Sequence, residues 1–169
     1  DCHLAVATGK QLDDTTPPPA GFDFVYLSII QPSQCWAWAQ VHNPSGAARG
    51  AALEHVETAL QRAETHGVIR RAIQLSALRA LALDTLGRRD EAVTALEAAV
   101  RRAAALGFVR SFVDLGEGIC TLLHALAERH PGDTHVATLL EAFESGPLRD
   151  SRTTGAVPGS TPRTTTRSA

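Results

Sequence analysis

"DEAVTALEAAVRRAAALG", Asp90–Gly107, rewrites "GAALEHVETALQRAETHG", Gly50–Gly67, and each stretch closes on a glycine. Aligned on that glycine, Ala52 meets Ala92, Glu57 meets Glu97, Ala59 meets Ala99, Arg62 meets Arg102 and Ala63 meets Ala103. Val56 and Leu60 meet Leu96 and Val100, so apolar character persists where identity fails. The register also crosses the glycine: Ile69 aligns with Val109, Arg70 with Arg110, Ile73 with Val113, Leu75 with Leu115 and Leu83 with Leu123. Two alanine-rich amphipathic helices would share some of this by coincidence, but a register that survives a turn points to a repeat.

Between the two stretches lies "VIRRAIQLSALRALALDTL", Val68–Leu86. Ile69, Ala72, Ile73, Ser76, Ala80 and Leu83 form one stripe at helical spacing, and Leu75, Leu78, Ala82 and Leu86 form a second. A helix apolar on two sides must pack between neighbours. A helix pair cannot bury two stripes alone, whereas stacked pairs cover one another. The expected fold is therefore all-α, with antiparallel helix pairs repeating every 40 or so residues as an α-solenoid segment.

Composition agrees. The chain has 169 residues, 44% of them hydrophobic and only 5% aromatic, which favours close-packed helices over a β-sandwich. A net charge of -2 gives no electrostatic case for nucleic acid or membrane binding. The tail after Leu148 holds Arg149, Arg152, Arg163 and Arg167 against Asp150, so it is basic and the rest of the chain acidic. The chain has no methionine and begins at Asp1, which reads as a piece of something longer. Cys2, Cys35 and Cys120 are odd in number and scattered, as expected of thiols in a reducing cytoplasm.

Residues 1–21, with Pro17–Pro19, read as an irregular linker. Residues 22–144 read as the repeat domain, and 145–169, rich in Thr, Ser, Arg, Gly and Pro, as a disordered tail. Pro32 should kink or break the apolar stretch that starts at Phe22, and "HNPSG" should turn the chain. Helices are expected over Ala47–His66, Val68–Leu86 and Glu91–Leu106, with Gly67 as a left-handed stop and Asp90 as an N-cap. Ala92, Leu96, Ala99, Ala103 and Leu106 should face inward in the third of these. Gly116 and Gly118 should bend the next helix, which ends before Pro131, and Asp133 should cap a short last one.

Chemistry is sparse. His124, His130 and His135 near Cys120 lack the paired spacings of a structural zinc site, so no metal is expected. No GxSxG elbow or GxxxxGK[ST] phosphate loop occurs, so no catalytic residues, no cofactor and no enzymatic activity are expected. Trp36 and Trp38 fit core packing or an exposed contact patch. The pairs Arg70-Arg71, Arg88-Arg89 and Arg101-Arg102 read as solvated helix faces.

"ALALDTLGRRDEAVTALEAAVRRA", Ala80–Ala103, resembles a tetratricopeptide repeat: small residues in the first helix, a Leu-Gly turn, and Asp-Glu-Ala opening the second. The long period, "FDFVYLSI" after a proline-rich loop and "LGFVRSFVDLGEGICTLLHAL" together resemble the helical-repeat region of the MalT-like regulators of the LuxR family. That resemblance covers about residues 22–143 and implies a right-handed α-solenoid. It implies a module that senses an effector or holds a partner, set between an ATP-binding module and a helix-turn-helix DNA-binding domain. The sequence shows neither of these flanking parts, and "QPSQCWAWAQV" interrupts the first repeat where a continuous helix is the rule. A free-standing adaptor that binds a peptide or protein is the alternative.

In tetratricopeptide-like arrays the first helix of each pair lines the concave face. The repeat register sets Arg70 over Arg110 and Gln74 over Asp114, each pair spaced i,i+4 along its helix. These four are the candidate contacts for an effector or partner in the groove, beside the reading of a solvent-exposed ladder without a ligand. Direct binding to nucleic acid or to a membrane is not expected. Far-ultraviolet circular dichroism of the chain should be dominated by helix; a strand-dominated spectrum would refute the solenoid.

Overall fold

The computed structural model describes residues 32–145. The linker 1–21, the apolar stretch ahead of Pro32 and the tail after Ser145 lie outside the described residues. Within them the chain is all-helical: α1 (Pro32–Val41), α2 (Gly46–Thr65), α3 (Ile69–Thr85), α4 (Arg89–Ala104), α5 (Arg110–Val113), α6 (Glu117–Arg129) and α7 (Thr134–Ser145). Short links make successive helices antiparallel. The pairs are α1 with α2, α3 with α4, and the broken helix α5–α6 with α7.

The stops are written in glycine. Gly67, Gly87 and Gly107 all have positive φ (67°, 79° and 67°). After each, the next amide reaches back to a carbonyl five residues earlier: Val68 to Ala63 at 2.9 Å, Arg88 to Leu83 at 3.0 Å, and Phe108 to Ala103 at 3.2 Å. This is the Schellman closure, which satisfies the last carbonyls of α2, α3 and α4 and turns the chain at a fixed angle. A side chain with a Cβ would strain the left-handed backbone there.

Helix α3 is the centre. Ala72, Ile73, Leu75, Ser76, Ala77, Leu78, Ala80, Leu81, Ala82 and Leu83 are all buried. It packs on α2 along one side and α4 along the other, and also meets α1, α5 and α6. One core runs through the array, from Trp36 and Val41 through Val56, Ile73 and Leu96 to Phe112, Leu122 and Leu139.

The break expected at Pro32 concerns a stretch whose first part lies outside the described residues; Pro32 itself opens α1, where its missing N–H costs nothing. Several other expectations need correction. Asp90 does not cap α4. The Schellman turn at Gly87 lets the helix begin at Arg89, which places Asp90 in the first turn. Ile69 is not core but 55% exposed. As the first residue of α3 it sits in the turn region, where its helical neighbours have already ended. Leu106 is likewise 49% exposed, because α4 stops at Ala104 and Leu106 falls in the turn. Val109 and Val113 are half-buried, not core, because α5 is a single turn that breaks before Gly116. Phe112 takes the core position instead and is fully buried.

The two glycines of the third pair act differently. Gly116 adopts φ 83° and makes the break between α5 and α6. Gly118 lies inside α6, where an added Cβ would meet Leu81 Cδ1 of α3 at 2.5 Å. The absence of a side chain lets α6 approach α3 closely. At its start, α7 is capped as expected: Asp133 Oδ1 accepts from the amides of His135 and Val136 at 2.9 and 3.2 Å. Exposed ion pairs cross the pairs of helices, Arg79 with Glu57, Arg102 with Glu64 and Arg129 with Asp90, and each adds at most about 1 kcal/mol.

Ile73→Ala should cost about 2–5 kcal/mol in denaturant unfolding, and Ile69→Ala under about 1 kcal/mol, because only the first leaves a cavity. Equal losses would contradict the assigned burial. Gly118→Ala gains about 1 kcal/mol of helix propensity. Overpacking against the buried Leu81 costs about 1–3 kcal/mol, so the variant should melt lower. A higher melting temperature would show that α6 and α3 have room to spare.

Candidate functional site

The four candidate groove residues fall on α3 and on the α5 turn, the leading helices of the second and third pairs. Arg70, Arg110 and Asp114 are exposed and Gln74 is half-buried. Arg110 Nε donates to Asp114 Oδ1 at 3.1 Å, the i,i+4 pair expected from the spacing. Asp114 follows the last residue of α5, so the pair spans the single turn that precedes the Gly116 break. Arg70 takes a different partner: its guanidinium carbon lies 5.9 Å from the centroid of the Phe108 ring. That cation–π contact joins the start of α3 to the turn before α5 and brings the two layers of the register side by side. Sequence spacing pointed to Arg110 and Asp114 but not to Phe108, whose role rests on a contact between repeats.

An open groove of about 460 Å³ runs elsewhere, along α4, and is lined by Arg79, Asp90, Glu91, Thr94, Ala95 and Ala98. Residues 91, 94, 95 and 98 share one face of α4, and the small alanines leave the space. Its charges already have partners. Arg79 pairs with Glu57 at 2.9 Å, Asp90 with Arg129 at 2.7 Å, and Glu91 with Arg88 at 2.6 Å. The hydrogen bond from Arg88 holds the Glu91 carboxyl below the usual carboxylate range. This groove offers a ligand no nucleophile with an adjacent base.

The tryptophans divide. Trp36 is buried in the core and meets the His55 ring edge-on at 5.3 Å. Trp38, two residues on and on another side of α1, is half-buried beside His42 at 4.6 Å. Among the described residues no group of three or more His, Cys, Asp or Glu is placed to hold a metal ion. Cys35 and Cys120 are unbridged and half-buried. Burial above all, and then the carboxylates of Glu117 and Glu144, push the Cys120 thiol above its ordinary range and keep it protonated. No helix of the described residues is long and apolar enough to cross a membrane.

Helix pairs closed by glycine and stacked through one continuous core define a tetratricopeptide-like array. Residues 25–129, well over half of the chain, match the MalT-like TPR region, and the chain belongs to that family. No curated protein and no solved structure matches the chain.

Arg110→Ala should lower stability by less than about 1 kcal/mol, because both partners of its ion pair are exposed. A loss of several kcal/mol in chemical denaturation would make the pair a structural brace.

Proposed function

We propose that the chain is the protein-interaction and effector-sensing part of a MalT-like transcriptional regulator of the LuxR family, working in the cytoplasm. The observation that carries the reading is the juxtaposition of polar, exposed side chains on successive leading helices. Arg70 and Arg110 stand in adjacent layers, Arg70 touching Phe108 two residues before Arg110, while ten other residues of α3 are committed to the core. An exposed Arg–Asp pair contributes little to folding, so it is free to exchange partners with a ligand. Binding in the groove would favour one arrangement of the array over another and so pass a signal to attached domains, by population shift. The described surface offers recognition groups without a catalytic constellation, and the proposed role is binding, not turnover.

The test is thermal-shift titration of the chain against a panel of small metabolites, with the Arg110→Ala and Asp114→Asn variants in parallel. A ligand at about a hundredfold its Kd adds roughly 2.7 kcal/mol, a shift of several degrees. At least one compound should stabilise the parent chain, and both variants should lose that shift while keeping the melting temperature of the unliganded parent. A shift that both variants retain would move the effector site away from this face.

A further inference from the structure

Val68, Ile69 and Leu106 are the exposed large apolar side chains among the described residues, at 47%, 55% and 49% exposure. All three lie on one edge of the array. Helices α2 and α4 both run antiparallel to α3, so the turns at Gly67 and Gly107 share that edge and the Gly87 turn occupies the other. The Arg70–Phe108 contact bridges the two turns, so the exposed residues form one patch and not two.

The charge at this edge is mixed, but the part not spent on ion pairs near the patch is positive: Arg102 pairs with Glu64 and Arg101 with Glu97. Arg62 lies in the last turn of α2, and Arg101 and Arg102 in the last turn of α4. Those positions suit the helix dipole. Arg70 and Arg71 do not: they occupy the start of α3, which has no acidic residue in its first turn and no side-chain cap. Cations there oppose the dipole and leave the first amides of α3 without a side-chain acceptor. Folding gains the Arg70 contact with Phe108 from this arrangement but no help from the dipole. Neither Arg62 nor Arg70 has a carboxylate partner among the described residues, although arginines elsewhere on the array pair freely with Glu and Asp.

We infer that the Gly67–Gly107 edge is a docking surface for an acidic, apolar segment of a partner protein. Aliphatic side chains of the partner cover Val68, Ile69 and Leu106, and its carboxylates meet Arg62 and Arg70, where the N-terminal end of the α3 dipole also favours negative charge. The inference rests on reading the chain as an interaction module, and it names the partner's chemistry. Charge complementarity selects this occupant: the carboxylates nearest the patch, Glu64 and Asp114, are already paired with Arg102 and Arg110, whereas Arg62 and Arg70 are paired with no carboxylate among the described residues, and the apolar patch at the centre has no use for a bare polyanion. The repeat writes the motif twice, as Gly-Val-Ile-Arg at 67–70 and Gly-Phe-Val-Arg at 107–110, but only the first copy is exposed, since Phe108 and Val109 are half-buried and Arg110 pairs with Asp114.

A displayed library of random short peptides, selected on the full chain, tests this directly. Selected peptides should be enriched in Asp and Glu next to Leu, Ile, Val or Phe. Their binding should weaken about tenfold or more with Ile69→Asp or Arg70→Glu, and should weaken as salt is raised. Both positions are exposed, and an acid at the start of α3 suits the dipole, so both variants should keep the parent's melting temperature. Selected peptides without acidic bias, or binding that survives both changes, would overturn the inference. So would Arg70-dependent binding of duplex DNA or of phosphatidylglycerol vesicles in place of peptide. Peptide binding lost with Asp114→Asn but kept with Ile69→Asp would overturn the edge while leaving the interaction-module reading intact.

Discussion

The burial of α3 on both sides is the constraint from which the rest follows. Ten of its 17 residues are buried, and they point in enough directions that no single partner helix covers them. Each fully buried Leu or Ile contributes on the order of 1.5–3 kcal/mol, so leaving either side of α3 in water would cost a large share of the usual net stability of a domain. The second pair therefore requires α2 before it and α6 after it. Stacking is the only economical solution, and it sets the leading helices side by side with their outward residues in register.

Close stacking in turn depends on small residues and on accurate stops. Alanine fills many of the contact positions, and Gly118 allows α6 to come within van der Waals reach of Leu81. The three Schellman turns hold the helices to similar lengths, which keeps successive turns at the same edges of the array. The edge with Gly67 and Gly107 then gathers what the core rejects: Val68, Ile69 and Leu106 lie past the points at which neighbouring helices end.

This explains how much was legible in the sequence. The 40-residue register, the glycine stops, the double stripe of α3 and the Asp133 cap are local or periodic signals, and the structure contains them all. Periodicity says which way a side chain points but not whether a neighbour reaches it. Ile69 and Leu106 continue their stripes in sequence and still stand exposed, because coverage depends on where other helices stop. Phe112 displaced Val113 from the core for a related reason: the break at Gly116 resets the phase of the helix. Among the candidate groove residues, the Arg110–Asp114 pair followed from i,i+4 spacing, whereas the Arg70–Phe108 contact joins separate repeats and leaves no trace in either one alone.

The binding role proposed for the chain lies at its surfaces, and those surfaces hold their shape only while α3 is clamped. Native-state hydrogen exchange followed by mass spectrometry on the full chain measures that clamp. Amides of α3 should exchange slowest of all, through global unfolding only, while those of α1 and α7 open earlier through local fraying. Exchange of α3 as fast as that of α1 and α7 would contradict the account, because a helix buried on both sides cannot open unless its neighbours separate.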